Sequence, residues 1–532
     1  MDRALCKWHL PVTWPDTYCT SSNFDCPPAA PAVYSVSSTE PANPSPPYSP
    51  ACTASFATGT TIVDNVLESK NRVGCPVVTN SGSFAFAYGG GVTTPPLPDS
   101  AQVDLHQLGS GFRGQFWWSH TYSKSVPYPF TTITGTWTPG VTGWRKIWVH
   151  VPAIGAETVQ AEYVIKTSSS ATAQTVVVNQ RWNQNHWIEI GRFNLGSGAK
   201  VSLSNLTQTD YANSFSPDIA WDAMAFEPTT APSDVYVALG DSYSAGEGLD
   251  PYEANSDIGG KSPSYRDACH RSSQSYAPQV AQLLTNVEFH FIACSGATIP
   301  GLTGVADPDN SHSKLFQWNE VPQLYQGYLT PQTTVVSVGI GGNDVRFADV
   351  LEACAVNIYD CSEGGWTMSG DSKPIEEAEN DLIDALQAKY VTLFNQIHTL
   401  APNAQILAIG YPLLFPSSPS GSCSLLSVDV QLMMNRLGVR LNSRMAAAAA
   451  TAGATYVSIV SAYTGHEVCS SSERINATVL WSSSGSSLPA ADSGAPYCEA
   501  LGGYKDCPGS GSFHPKSAGH ASIVSTVFNA IT

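Results

Sequence analysis

Between residue 235 and the C-terminus, five short apolar runs alternate with amphipathic stretches, and no other feature limits the fold so tightly. The runs fall at 235–239, 287–293, 334–340, 405–410 and 455–460. The first, Val235-Tyr-Val-Ala-Leu239, is bounded by Pro232 and Gly240 and reads as a buried strand. Helical patterns separate several of the runs, at 275–284, 375–400 and 428–452. The clearest is 375–400, where Pro374 sits near the first turn and apolar residues recur at 382, 383, 386, 390, 393, 394 and 397. Five strands with helical crossovers predict an α/β fold with a parallel sheet covered on both faces. Ligands of such sheets sit beyond the carboxyl ends of the strands.

Three of those ends carry polar, glycine-containing turns. Gly240-Asp-Ser242 breaks the first run and places a hydroxyl where a helix should begin, with the Ser242 N–H pointing out of the helix start. Alone, such a serine reads first as an ordinary turn or N-cap residue. After the second run comes Cys294-Ser-Gly-Ala-Thr298, and after the third Gly339-Ile-Gly-Gly-Asn-Asp344. Gly296 can present its N–H closely because it has no side chain, and Asn343 can offer a side-chain amide. With the Ser242 N–H these make three donors for one developing oxyanion. A neutral serine is a weak nucleophile and needs a base. The sequence closes with Ser512-Phe-His-Pro-Lys516 and a final helix. Pro515 fits a first helical position, which puts His514 at the N-cap, while His520 points about 240° around that helix and away from the site.

Gly240-Asp-Ser-Tyr-Ser244, Gly296, Gly341-Gly-Asn-Asp344 and Phe513-His-Pro515 resemble, in order, the four blocks of the SGNH (GDSL) hydrolase superfamily. The resemblance covers residues 233–532 and is closest to secreted actinobacterial lipases and esterases. It implies a flavodoxin-like, five-stranded parallel sheet flanked by helices and the hydrolysis of carboxylic acyl esters without a cofactor or metal. It gives Ser242 the role of nucleophile, His514 that of base, and Ser242, Gly296 and Asn343 that of oxyanion hole. Asp241 reads as a structural member of its turn. One departure stands out. The family usually carries Asp three residues before the histidine, and here that position is Gly511. Either a backbone carbonyl near Gly511 orients the imidazole, the favoured reading, or Asp506 or Asp492 reaches it from the 498–507 loop. The expected substrate is a small-molecule or lipid ester. Two alternatives are a carbohydrate esterase deacylating a polysaccharide and a non-catalytic glycan- or surface-binding protein, which the missing Asp would favour.

The first half of the chain is different. Residues 1–50 form a Cys/Pro-rich segment whose 27–50 stretch cannot bury a core and predicts an extended linker or covering arm. From 51 to 229, short β-like runs such as Lys146-Ile-Trp-Val-His-Val151 and Thr175-Val-Val-Val-Asn179 predict an all-β sandwich. Gly135-Thr-Trp-Thr-Pro139, Trp187-Ile-Glu-Ile-Gly-Arg-Phe193 and Ala220-Trp-Asp-Ala-Met-Ala-Phe226 make 110–228 resemble golvesin-like modules, which are often supposed to hold glycans. Trp117, Trp118, Trp144, Trp182 and Trp187 suit a sugar-stacking surface or, the favoured reading, the sandwich core.

Only 13% of the 532 residues are charged and the net charge is -18, which argues against nucleic-acid or anionic-membrane partners. Thirteen cysteines without a CxxC pair point to disulfides and an oxidising, extracellular compartment. Sequential pairing (269–294, 354–361, 423–469, 498–507) is the expectation, and one of the five early cysteines is left over. No leader and no membrane-spanning run is legible. Asn205-Leu-Thr207 and Asn476-Ala-Thr478 read as glycosylation sequons, and Asp307-Pro-Asp-Asn310 as a turn.

Overall fold

The computed structural model describes residues 52, 54–65, 82–89, 103–106, 110–124, 132–207, 217–258, 267–304, 318, 320–356, 361–362, 367–368, 370–423, 426–479 and 509–532. In the C-terminal half the five apolar runs form strands β1 (Asp234–Gly240), β2 (Val287–Phe291), β3 (Val335–Gly339), β4 (Gln405–Ile409) and β5 (Thr455–Val457). All pair in parallel, in the spatial order β2-β1-β3-β4-β5. This is the flavodoxin-like order expected from the sequence. β1 and β3 lie at the centre, and Val235–Gly240 and Val335–Gly339 are buried throughout. They have no solvent face, which is why their sequences run apolar without alternation.

The crossovers carry helices α1 (Ser242–Ala245), α2 (Tyr276–Leu283), α3 (Ile299–Thr303), α4 (Phe347–Val356), α5 (Ile375–Leu400) and α6 (Val428–Ala452), and α7 (Val460–Tyr463) and α8 (Ser517–Asn529) follow the last strand. α5 buries Ile383, Leu386, Tyr390, Leu393, Phe394 and Ile397, spaced at helical period, in the common core of the sheet. Each such side chain contributes about 1.5–3 kcal/mol of transfer free energy. The last helix starts two residues later than the sequence predicts, because Lys516 and not His514 is its N-cap. Residues 513–516 instead pair with 474–476 (Asn476 N–H to His514 O, 2.9 Å; Lys516 N–H to Arg474 O, 2.8 Å), which holds Pro515 in extended backbone.

The N-terminal half packs two antiparallel sheets face to face. One orders Thr61–Val63, Met224–Pro228, Gly143–Val151 and His186–Leu195; the other orders Ser83–Gly89, Thr132–Thr138, Lys200–Ser204, Ala161–Lys166 and Gln174–Val178. Thr132–Thr138 alternates inward Ile133 and Trp137 with outward threonines, the period expected of a strand with one buried face. Ile147, Val149 and Phe226 meet Ile133, Trp137, Tyr163 and Val176 in one core. Trp118 and Trp182 are buried, as the core reading expects, while Trp117, Trp144 and Trp187 are half-buried. Asn205 is fully buried and its side chain accepts the Ile133 N–H, so its sequon is closed to modification in the folded chain.

Disulfides join Cys269–Cys294, Cys354–Cys361 and Cys423–Cys469, as sequential pairing predicts. Cys498 and Cys507 lie outside the described residues, as do the early cysteines other than Cys52.

Candidate active site

The site forms where the turns after β1, β2 and β3 meet. Their backbones are tied to one another: Asp241 N–H donates to Gly339 O at 2.9 Å and Cys294 N–H to Gly240 O at 3.0 Å. The buried Gln323 amide grips Gly240 on both sides, accepting its N–H at 2.9 Å and donating to its carbonyl at 2.8 Å. Asp344 accepts the Ile299 N–H, and the Asn343 amide donates to Ala297 O at 2.9 Å. One amide hydrogen of Asn343 is thereby committed, and the amide has a second to offer.

Ser242 opens α1, with Asp241 as N-cap; the Asp241 carboxylate accepts the Tyr243 N–H at 3.0 Å. Its second oxygen accepts the Tyr411 hydroxyl at 2.5 Å, and that hydroxyl in turn accepts the Gly342 N–H at 3.0 Å. Burial pushes the Asp241 carboxyl up to about 7, against these hydrogen bonds. Burial and the Asp241 charge raise the Tyr411 phenol well above its ordinary value, which keeps it a donor. Neither the Ser242 N–H nor the Gly296 N–H is engaged by another described residue. Gly296 is exposed, with φ 77°.

His514 Nε2 lies 2.8 Å from Ser242 Oγ. The other ring nitrogen, Nδ1, lies 3.0 Å from the carbonyl of Ser512. The acceptor is therefore Ser512 and not Gly511, whose carbonyl takes the His514 N–H (3.3 Å) and the Asn476 amide (3.1 Å). The cause is Phe513, whose φ of 59° turns the Ser512 carbonyl back onto the ring. That left-handed backbone costs about 1–2 kcal/mol. It is held by Phe513 N–H to Asn476 O (3.1 Å) and by the Tyr243 hydroxyl to Phe513 O (2.5 Å). Asp506 and Asp492 lie outside the described residues. Burial lowers the His514 imidazole below the ordinary histidine value, opposed by the Glu247 charge and by the Ser512 and Ser510 carbonyls. His520 is buried elsewhere, its Nδ1 accepting the first N–H of α2 from Tyr276 at 3.2 Å. The arrangement can hand the Ser242 proton to Nε2 while the Ser512 carbonyl keeps the tautomer.

The model of the GDSL-like Lipase/Acylhydrolase family matches residues 238–521, a stretch that contains all of these turns. The chain belongs to that family. It is a carboxylic ester hydrolase. A second model, that of the Golvesin C-terminal domain, matches residues 115–216, within the sandwich. The chain is 31% identical over 283 residues to Lipase 1 of Streptomyces coelicolor, covering 53% of this chain and 90% of that one. It is 30% identical over 250 residues to a lipase of Streptomyces rimosus, covering 46% and 77%. The crystal structure of an extracellular lipase from Streptomyces rimosus aligns at 25% identity and a TM-score of 0.40, over 56% of this chain and 100% of that one.

Four residues that shape the site escape a reading of the sequence. Tyr411 follows β4 and Gln323 opens a single 3-10 turn (Gln323–Tyr325), so neither belongs to a recognisable block. Asn476 reads only as a sequon, and the Ser512 carbonyl has no side-chain signature at all. Among the described residues, one group could approach an ion, Asp267, Cys269 and Glu320, but the Cys269 sulfur is committed to Cys294 and Glu320 to Arg271. No described helix is long and apolar enough to cross a membrane.

Proposed function

We propose that this esterase works through a Ser242–His514 pair and a Ser242/Gly296/Asn343 oxyanion hole. The observation that carries the reading is the 2.8 Å approach of His514 Nε2 to Ser242 Oγ at the carboxyl edge of a parallel sheet. Ser242 Oγ attacks the ester carbonyl as Nε2 takes its proton, and the carbonyl oxygen becomes an oxyanion held by the Ser242 and Gly296 N–H groups and the Asn343 amide. Collapse expels the alcohol, which leaves with the proton from His514. Water then attacks the acyl-serine by the same route and restores the enzyme. The Ser512 carbonyl keeps Nδ1 protonated, so that Nε2 is the basic nitrogen.

The substrate is a small-molecule or lipid ester, and the protein works outside the cell. Three disulfides among the described residues support the second statement, since such bonds persist in oxidising compartments. The test is hydrolysis of p-nitrophenyl esters from acetate to palmitate by the wild type and Ser242→Ala. Turnover of medium or long chains that vanishes in the variant is expected. Turnover of acetate alone would move the substrate to acetylated polysaccharide, and full activity in Ser242→Ala would overturn the reading.

A further inference from the structure

A buried ion pair outside the Ser242–His514 pair has no part in the steps above. Glu247 and His270 are 2% and 1% exposed, and Glu247 Oε2 lies 2.6 Å from His270 Nδ1. The same oxygen accepts the Ser295 hydroxyl at 2.7 Å, next to Gly296. The Glu247 N–H donates to the carbonyl of Ser242 at 3.1 Å. The following residue, Gly248, packs on Gly511 so closely that a Cβ on it would lie 3.2 Å from the Gly511 Cα. Glu247 thus sits behind the helix start that bears the nucleophile, against the loop that bears the histidine. Its second oxygen, Oε1, is buried as well. A buried ion pair is weak evidence of a structural need, since replacing both ions together often costs a fold little. Structural need alone does not account for it.

We propose that Glu247, clamped by His270, is the positioning residue that supplies His514 with the negative charge of the Asp absent at 511. The inference rests on the Ser242–His514 reading. As Nε2 takes the serine proton, the ring becomes an imidazolium, and the Ser512 carbonyl can orient that cation but brings no net charge to it. A fixed carboxylate in a desolvated setting does. Burial works to raise the Glu247 carboxyl, yet the His270 imidazolium, the His514 ring and the Ser510 hydroxyl hold it down at about 2, so it is anionic wherever the enzyme could work. His270 is raised despite its burial, by Glu247 first and then by Asp257 and Asp250. Tyr252 stacks on its ring at 4.3 Å. At His514 the Glu247 charge outweighs that of His270; among the described residues the other titratable neighbours are His520, which burial keeps neutral, and the Tyr243 ring at 5.0 Å.

The experiment is the pH profile of kcat/KM for a p-nitrophenyl ester in the wild type, Glu247→Gln and Glu247→Asp, with Ser242→Ala and His514→Ala alongside. Removing the charge lowers the His514 pKa, so in Glu247→Gln the acid limb is expected to move down by about half to one pH unit. Its plateau kcat is expected to fall about tenfold, with KM nearly unchanged. Glu247→Asp keeps the charge and restores the limb. A purely structural role would change rate or stability and leave the limb in place; an unmoved limb in a folded Glu247→Gln overturns the proposal. Should that variant not fold, carboxyl 13C shifts of the wild type decide. Glu247 must read as an anion across the His514 titration and respond to it; a neutral carboxyl, or one blind to that titration, overturns the proposal. Retained activity in Ser242→Ala or His514→Ala would instead bring down the Ser–His reading on which it stands.

Discussion

Tyr411 is the residue on which the two halves of the site meet. Its hydroxyl donates to Asp241, in the turn of Ser242, and accepts from Gly342, beside Asn343, the proposed oxyanion donor. Tyr411→Phe leaves a buried carboxylate oxygen and an N–H unmet, a loss of about 1–3 kcal/mol. The account therefore expects a drop in melting temperature together with a kcat lowered by about tenfold or more, read by thermal unfolding and steady-state kinetics. Asn343→Ala removes a proposed donor to the developing oxyanion and should lower kcat by about 10²–10³ with KM little changed. Full activity in that variant would sink the oxyanion role. His514 must be neutral to accept a proton, and burial lowers its pKa. kcat/KM should accordingly hold as pH falls through 6.5 and decline only below it. An acid limb centred above 6.5 would contradict the burial of the ring.

The strands and long helices were legible because each has one dominant cause. Continuous apolar runs mark the central strands, and the spacing through Leu386, Tyr390 and Phe394 marks the buried face of α5. What sequence could not give depends on contacts made across long distances. Pro515 looks like a helix start, but pairing with 474–476 outweighs that local preference. The orienting carbonyl is Ser512 because Phe513 adopts a left-handed backbone, and only its partners Asn476 and Tyr243 explain why. The turn after β2 offers a test at this scale. Cys269–Cys294 closes a loop of 25 residues and anchors the strand end from which Ser295 and Gly296 project. Opening it with Cys269→Ser and Cys294→Ser together should cost about 2–4 kcal/mol, measured by chemical denaturation. Activity should fall with it, because Gly296, a proposed oxyanion donor, loses its anchor.

Across the whole molecule, the sandwich is bound to the hydrolase half by contacts too close for a loose tether. Arg192 reaches Val287 O at 2.7 Å and Asn286 at 2.9 Å, and its N–H donates to Glu288 at 3.1 Å. The Val177 N–H donates to Gln326 O at 2.9 Å, and the Trp182 ring N–H to Trp318 O at 3.3 Å. Gly327 lets the two backbones touch, since a Cβ there would collide with the Thr175 carbonyl. Calorimetry should therefore record one unfolding transition for the wild type and two for Gly327→Val; two in the wild type would contradict a shared unit. The sandwich also meets the site indirectly, because the Trp318 ring N–H donates to Ser295 O at 2.9 Å, beside Gly296. In the proposed mechanism Ser242, activated by His514, carries the acyl group. Its most direct test is intact-protein and peptide mass spectrometry after exposure to diethyl p-nitrophenyl phosphate, an ester that stalls at the covalent stage. The account predicts one diethylphosphoryl group per chain, on Ser242, absent from Ser242→Ala and formed far more slowly in His514→Ala. Complete inactivation with the adduct on any other residue, or with none, would contradict it.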